Sequence, residues 1–289
     1  MQRNVGKEFE PMTEYELKKQ KLLSYMEQYA KEDVAVAFSG GVDSSLLLKL
    51  ACQAAKNTTV YAVTIQSELQ PQNDLEIAKT VAMEMGAKHV VLTIHELQEA
   101  GIQTNPKDRC YLCKKYLFGQ IRQFAAQKGI TQILEGTNEE DLHKYRPGIR
   151  AIRELGIFSP LAAVGMTKEE VRTLANEYGI SVANRPSAPC LATRFPYGTT
   201  LCLEALARVE RAEQYLHELG FWNVRVRVYG EIVRIEVEND QLMEAVAKRE
   251  NINSYLKTLG YHYITLDLEG FRSGSMDEQI PVIENKTEK

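Results

Sequence analysis

Residues 34–47, VAVAFSGGVDSSLL, constrain the fold more than any other stretch of this chain. An apolar, strand-like run leads directly into Ser39-Gly40-Gly41-Val42-Asp43-Ser44, and an amphipathic helix follows at once. A glycine-rich turn therefore falls between the C-terminal edge of a strand and the N-terminus of a helix. Gly40 and Gly41 let backbone N–H groups converge on one concavity, and the helix dipole adds partial positive charge there. Ser39, Ser44 and Ser45 add hydroxyl donors. The product is a cradle for pyrophosphate. It lacks the Gly-Lys-Ser/Thr ending of a Walker A loop and the GxGxxG of a dinucleotide fold. The plainer alternative is a Gly-Gly turn that starts an ordinary helix, and Asp43 is either a Mg²⁺ ligand or an N-terminal helix cap.

Strand patterns at 34–38, 59–65, 89–94 and 132–135 alternate with helical patterns at 17–29, 43–55, 74–85, 113–127 and 167–178. Such alternation predicts an α/β fold, a doubly wound parallel sheet that binds ligands at the C-terminal ends of its strands. Ser39–Ser44, Gln66-Ser67 and Gly136-Thr137 fall at those ends. The pattern changes after Pro196. A helix at 203–219, strands at 223–229 and 232–237, a helix at 241–259 and a strand at 263–268 predict a smaller C-terminal α+β domain. The expected division is 1–195 and 196–289, with 285–289 a frayed tail.

With 289 residues, 44% hydrophobic, the chain can bury two cores. A net charge of −4 gives no global basic field for nucleic acid or an acidic membrane. No apolar run approaches the roughly twenty residues that span a bilayer. The polar start, MQRNVGKEFE, carries no signal-like apolar segment, so a cytoplasmic protein is expected. Five cysteines, an odd number, argue against a disulfide framework.

Cys110 and Cys113 form a Cys-x-x-Cys at a loop-to-helix junction, which suits a tetrahedral metal, an iron–sulfur cluster or a redox pair. A zinc knuckle wants a second such pair or paired histidines, and neither is present. Cys190, set among prolines in RPSAPCLATRFPYG, is poorly placed for a core thiol. Three cysteines can hold a [4Fe–4S] cluster and leave one iron open; buried or incidental thiols are the alternative. Cys52 and Cys202 read as incidental.

Gly136-Thr137, with Asp141 and Arg146 in the following loop, can meet a nucleotide, Mg²⁺ and phosphate, against the alternative of a solvated acidic loop. In the second domain Val224, Val226 and Val228 alternate with Arg225 and Arg227, which gives one apolar and one cationic strand face. That face either binds a phosphate or is simply solvated. Glu213, Glu236 and Glu244 can approach it, although surface positions are expected for all three.

SGGVDSS is similar to the PP-loop of enzymes that cleave ATP between its α and β phosphates to adenylate a substrate. Together with NPKDRCYLCKK, GTNEEDLHKYRPG, APCLATRFPYGTT, VRVRVYG and TLDLEGFRSGSM, it makes the chain resemble the LarE family throughout its length. These are ATP-dependent sulfurtransferases of nickel-pincer nucleotide biosynthesis. The resemblance implies a PP-loop domain that uses ATP and Mg²⁺ to adenylate a carboxylate of pyridinium biscarboxylic acid mononucleotide. Sulfur then displaces AMP and leaves a thiocarboxylate. It implies ATP contacts from Ser39, Gly40, Gly41, Asp43, Ser44, Ser67, Gly136 and Thr137. It also implies phosphate contacts from Arg225 and Arg227, with Arg194 and Arg146 as further substrate-binding candidates. Family members draw sulfur either from a lone cysteine matching Cys190, which is consumed, or from a sulfide on a three-cysteine [4Fe–4S] cluster. With Cys110, Cys113 and Cys190 all present, this chain resembles the second type. The resemblance also implies a homo-oligomer.

The nearest rival is a PP-loop enzyme that thiolates tRNA. From Pro196 onward, 11 Lys and Arg face 16 Asp and Glu, a poor surface for a polyanion. An ammonia-using ligase of the NAD-synthetase kind would not need the three cysteines, and a nucleotide or metal sensor would not release pyrophosphate.

Overall fold

The structure, a computed structural model, describes residues 12–143, 147–186 and 189–276. In chain order the helices and strands are α1 (Glu14–Tyr29), β1 (Val34–Ala37), α2 (Val42–Ala54), β2 (Val60–Gln66), α3 (Gln72–Glu84), β3 (Lys88–Thr93) and α4 (Glu96–Glu99). They continue with α5 (Arg109–Gln127), β4 (Gln132–Leu134), α6 (Glu139–Leu142), α7 (Gly148–Glu154), α8 (Pro160–Ala163) and α9 (Lys168–Glu177). The last are α10 (Leu203–Glu218), β5 (Arg225–Tyr229), β6 (Ile232–Glu236), α11 (Leu242–Ala247), α12 (Arg249–Thr258) and β7 (Tyr263–Leu266).

These elements form two compact units. The first takes the described residues within Met1–Ile65, Asn73–Thr93 and Leu117–Arg185, and the second those within Gln66–Gln72, Ile94–Tyr116 and Pro186–Lys289. The division at Arg185/Pro186 precedes the one anticipated at 195/196, and two earlier segments join the second unit. Backbone pairing accounts for this. Leu191 N–H donates to the Leu69 carbonyl (2.8 Å), Gly198 N–H to that of Asn105 (3.0 Å) and Leu201 N–H to that of Gln103 (2.8 Å).

In the first unit a sheet of order β3-β2-β1-β4 has β1 parallel to both β2 and β4. Strand β1, VAVA, is apolar on both faces because helices cover both, and Val34, Ala35 and Val36 are fully buried. Its core joins Val34, Val36 and Leu134 of the sheet to Leu46, Leu47 and Leu50 of α2 and to Val171 and Leu174 of α9. Capping boxes at Thr13/Glu16 and Thr167/Glu170 start α1 and α9. Chain order reverses between β1 and β4, the switch point where open α/β sheets bind ligands. The expected doubly wound α/β fold with a smaller C-terminal unit is present.

In the second unit β6 pairs antiparallel with β5 and parallel with β7. Leu206, Val209, Ala212 and Leu216 recur at helical spacing along α10 and pack with Val224, Val226, Val233 and Ile235. The helix expected over 241–259 is two helices. Lys248 leaves helical geometry (φ −88°, ψ 10°), and its ammonium reaches the Leu219 carbonyl and Glu244. Helix α5 begins at Arg109, ahead of the start expected near Cys113, so both cysteines of the pair lie on its first turn. Among the described residues no helix is long and apolar enough to cross a membrane.

Candidate functional sites: a phosphate loop and a cysteine–arginine cluster

The first unit presents the loop from β1 to α2. Gly40 has φ +72°, and a Cβ there would lie 3.1 Å from the Ala78 backbone, so both conformation and space require glycine. Gly41 is the N-cap residue of α2; Asp43 stands in the first turn and does not cap the helix. The loop is tied by its hydroxyls: Ser44 Oγ donates to the Gly41 carbonyl (3.1 Å), Ser39 N–H donates to Ser44 Oγ (3.3 Å) and Gly41 N–H to Ser39 Oγ (3.4 Å). Ser45 is buried, away from the loop's exposed rim formed by Ser39.

Gly136 follows β4, and a Cβ there would stand 3.0 Å from both Asp43 Cβ and Ser44 N, so glycine lets the end of β4 close on the start of α2. Thr137 is buried and turned inward: its N–H and Oγ1–H donate to the two oxygens of buried Glu135 at 3.0 and 2.8 Å. Asp43 accepts from Asn138 Nδ2 (3.2 Å) and forms an ion pair with Lys168 at the start of α9. Neither Glu135 nor Lys168 was legible as functional in the sequence. Glu135 ends a strand, and Lys168 lies 125 positions from its partner. Arg146 lies outside the described residues. Asp141 caps α6 reciprocally with Asn138.

The second unit contains Cys110, Cys113 and Cys190, all half-buried free thiols. Arg109, 3% exposed, reaches Cys110 Sγ (3.9 Å), the Ala192 carbonyl (3.3 Å) and Asn105 Oδ1, and lies 5.3 Å over the Tyr197 ring. Asn105 is the one described non-glycine residue at positive φ (49°); its Nδ2 donates to the Phe195 and Pro196 carbonyls at 3.1 and 2.8 Å. The left-handed turn before Pro106 thus connects the Cys110 helix to the segment after Cys190. Burial pushes the Cys113 thiol well up, and the adjacent Glu96 carboxylate pushes it further. Burial also raises the Cys190 thiol, against the pull of Arg109. Ser67, expected at the ATP loop, belongs to this unit, where its hydroxyl donates to Glu96 Oε2 at 2.5 Å.

Cys190 adjoins the arginines. Arg194 is 2% exposed; its Nη1 donates to the Pro189 carbonyl (3.0 Å) and the Cys190 carbonyl (3.3 Å). Nε and Nη2 of the same side chain form a two-pronged pair with Glu213, both at 2.8 Å. Arg227 pairs with Glu236 at 2.9–3.0 Å and donates to the Thr193 carbonyl at 3.0 Å. Glu236, fully buried, also accepts from Ser275 Oγ (2.8 Å) and Arg234 (2.9 Å). Arg225 lies 5.1 Å over the Phe271 ring and donates to the Val224 carbonyl at 2.7 Å.

Two expectations are corrected here. The Arg225/Arg227 face of β5 is not a solvated cationic face, because both arginines are 5% exposed. Glu213 and Glu236 are not surface residues but the buried counter-ions of Arg194 and Arg227; Glu244 alone stays at the surface, paired with Lys248. Alternation along one strand shows which side chains share a face, but carboxylates from α10 and β6 decide whether that face is buried.

Within the group formed by Arg194, Arg225 and Arg227 with Glu213 and Glu236, cations outnumber carboxylates. Burial would raise the Glu213 carboxyl, but Arg194 outweighs it and the net shift is down. Arg225 is pushed down to about 10, first by burial and then by Arg194, so its charge is held less firmly than an ordinary arginine's.

The NAD synthase family profile matches residues 14–134, the part of the chain that contains the phosphate loop. A pyridinium-3,5-bisthiocarboxylic acid mononucleotide synthase from Lactiplantibacillus plantarum is 38% identical over 247 residues, 86% of this chain and 90% of its own. The chain belongs to the LarE family. As a LarE-family member it is an enzyme, an ATP-dependent sulfurtransferase with a PP-loop domain. An uncharacterized protein of Synechocystis is 37% identical over 84% of this chain and 91% of its own. A tRNA-specific 2-thiouridylase of Treponema denticola is 26% identical over 54% of this chain and 52% of its own. That weaker likeness covers only part of a LarE-family chain.

Proposed function

We propose that this sulfurtransferase adenylates a carboxylate of pyridinium biscarboxylic acid mononucleotide and converts it to a thiocarboxylate, with sulfur delivered at Cys110, Cys113 and Cys190. The observation that carries this reading is that Cys110 and Cys190 flank buried Arg109, with Cys113 one helical turn from Cys110 on α5, in the unit that also holds the arginine cluster. The product for which the L. plantarum relative is named, a pyridinium bisthiocarboxylic acid mononucleotide, supports the substrate class.

A carboxylate reacts poorly with nucleophiles because oxide is a poor leaving group; adenylation makes the leaving group AMP. The backbone N–H groups of Gly40 and Gly41, with Ser44, line the N-terminus of α2, where charge building on departing pyrophosphate is stabilised. Asp43 offers hard carboxylate oxygens suited to Mg²⁺, and Lys168 balances its charge until the metal arrives. Arg225 and Arg227 bind the substrate's phosphate. A phosphate dianion there offsets the burial and the neighbouring guanidinium charge that depress Arg225.

The cysteine site suits an iron–sulfur cluster. Its donors are soft thiols, Arg109 balances the negative charge they gain on ionising, and the unit is buried around them. Among the described residues no three His, Cys, Asp or Glu side chains close on one metal ion. A cluster bound there supplies sulfide in a nucleophilic form. Arg194 holds the Cys190 carbonyl and so sets the position of that thiol relative to the arginine cluster.

Anaerobic protein, analysed for iron and sulfide and then assayed for substrate-dependent pyrophosphate release, tests the reading. Bound iron and sulfide, with pyrophosphate released only when the mononucleotide is present, is the expected result. Pyrophosphate release driven by tRNA in place of the mononucleotide would contradict the substrate assignment.

A further inference from the structure

The arginines of β5 are proposed above to bind a phosphate, yet each is 5% exposed. In the β5–β6 pair Arg225 stands opposite Glu236 and Arg227 opposite Arg234, so these four side chains share one face of the sheet. The chain that follows β7, residues 267–276, forms turns rather than helix or strand and lies against that face. The Arg225 guanidinium stands 5.1 Å over the Phe271 ring. Ser275 Oγ donates to Glu236 Oε1 at 2.8 Å, and the Tyr229 hydroxyl at the end of β5 donates to Met276 Sδ at 3.3 Å.

The two ends of this segment are held differently. At its start Phe271 N–H donates to the Val237 carbonyl (2.8 Å). Gly270 (φ +69°) is pressed so closely that a Cβ would strike Asn239 Oδ1 and lie 2.9 Å from the Val237 carbonyl. Further along, Gly274 (φ +84°) has open space where a Cβ would stand, and Ser273 and Gly274 are exposed. The later ties are easily given up. A methionine sulfur is a weak acceptor. Glu236 Oε1 also accepts from Arg234 Nη2 at 2.9 Å, so releasing Ser275 leaves no buried carboxylate oxygen unpaired. Over Arg225 the cover is an aromatic face, which attracts a guanidinium less than a phosphate dianion does.

We infer that residues 271–276 are a displaceable cover over the phosphate site, and that the mononucleotide's phosphate takes the place of the Phe271 ring on Arg225. The inference rests on the placement of the substrate's phosphate at Arg225 and Arg227. The segment swings from its anchor at Gly270, and Glu236 keeps Arg227 and Arg234 as partners throughout. One noncovalent partner of Arg225 is exchanged for another, and no covalent bond changes. Binding then depends on the fraction of molecules whose cover is open, so loosening the cover speeds association.

The test is hydrogen–deuterium exchange of the full-length protein, read on peptides covering 268–276, with and without pyridinium biscarboxylic acid mononucleotide and without ATP. Exchange in this segment should become several-fold faster when the mononucleotide is added. Unchanged or slower exchange, where calorimetry shows the mononucleotide bound, would overturn the cover. Stopped-flow binding supplies a second readout. Phe271→Ala should raise the association rate of the mononucleotide several-fold and leave that of ATP as in wild type; an unchanged mononucleotide rate would overturn the proposal. Should Phe271→Ala fail to fold by circular dichroism, Ser275→Ala replaces it. That change removes the tie to Glu236, keeps the ring and should also speed association, and an unchanged rate would again overturn the proposal. Equal mononucleotide affinity in wild type, Arg225→Ala and Arg227→Ala would instead overturn the placement of the phosphate.

Discussion

In the first unit the groups offered to a phosphate are mainly backbone: the N–H groups of Gly40 and Gly41 at the start of α2, in a loop held by Ser39 and Ser44. In the second unit they are side chains, the guanidiniums of Arg194, Arg225 and Arg227, buried against Glu213 and Glu236. The two designs carry different energetic risks. A backbone cradle costs little to keep and is sensitive to any added Cβ. A buried charge cluster is costly to assemble, and removing one partner leaves the other desolvated and unpaired.

The comparison is broken most sharply at Asp43. Asp43→Ala should lower pyrophosphate release by about 10²–10³-fold, the usual worth of a group stabilising charge in the transition state. Because Asp43 is half-buried and outside the core, the melting temperature should hardly move. Near-native turnover by the folded variant would remove Asp43 from the chemistry. Gly40→Ala probes the backbone itself. The +72° φ and the 3.1 Å approach to Ala78 predict a displaced loop and a loss of about 10²-fold, more than Ser39→Ala should cause. A larger loss in Ser39→Ala would mean that hydroxyls, not amides, make the cradle.

In the second unit the first casualty is stability. Glu213→Ala leaves Arg194 buried without its counter-ion and should cost about 3–5 kcal/mol in denaturant unfolding. The Glu213 carboxyl is lowered on folding, so its contribution is complete above the ordinary glutamate range and is lost as pH falls through the lowered value. Acidification should therefore destabilise the second unit, as followed by fluorescence of Trp222, which lies in that unit. An acid transition unchanged in Glu213→Gln would contradict this source.

How far the sequence could be read follows the same contrast. The phosphate loop was legible because it is local: strand, glycines and helix are adjacent, and the φ of Gly40 and the approach at Gly136 follow from neighbours a few residues away or at the next strand end. The cysteine cluster was legible as a set of thiols, since Cys110 and Cys113 share a helical turn and Cys190 stands out among prolines, whereas only the family resemblance tied the three to one cluster. What surrounds these groups was not legible. Lys168 meets Asp43 across a distant stretch of chain, Glu236 reaches Arg227 from the paired strand β6, and no spacing rule marks a carboxylate on α10 as the counter-ion of Arg194. The pattern at 223–229 told which side chains alternate but not that both faces are covered.

A smaller effect is expected at Arg225. Arg225→Ala should weaken mononucleotide binding by about 1.5–3 kcal/mol and leave ATP binding nearly unchanged. It should also lower stability less than Arg227→Ala, because it relieves repulsion from Arg194 and Arg227 while Arg227→Ala strips Glu236 of a partner. Equal loss of ATP and mononucleotide affinity, measured by calorimetry, would put the substrate's phosphate elsewhere. The mildest test is chemical. In metal-free protein under anaerobic conditions, exposed Cys202 should alkylate faster than Cys113 and Cys190, whose thiols are raised by burial. Because a raised thiol is mostly protonated near pH 8, the Cys113 rate should climb about tenfold per pH unit. Alkylation of Cys113 as fast as Cys202 at pH 8 would contradict its surroundings.

In the proposed reaction the three cysteines pass on sulfur without being consumed. The measurement is the mass of the peptide containing Cys190 after repeated turnover with ATP, the mononucleotide and added sulfide. Several products per chain and an unchanged Cys190 are expected, with both cluster absorbance and sulfur transfer lost in Cys110→Ala. A Cys190 peptide that has lost one hydrogen sulfide after a single turnover, in a protein whose Cys110→Ala variant stays active, would contradict it.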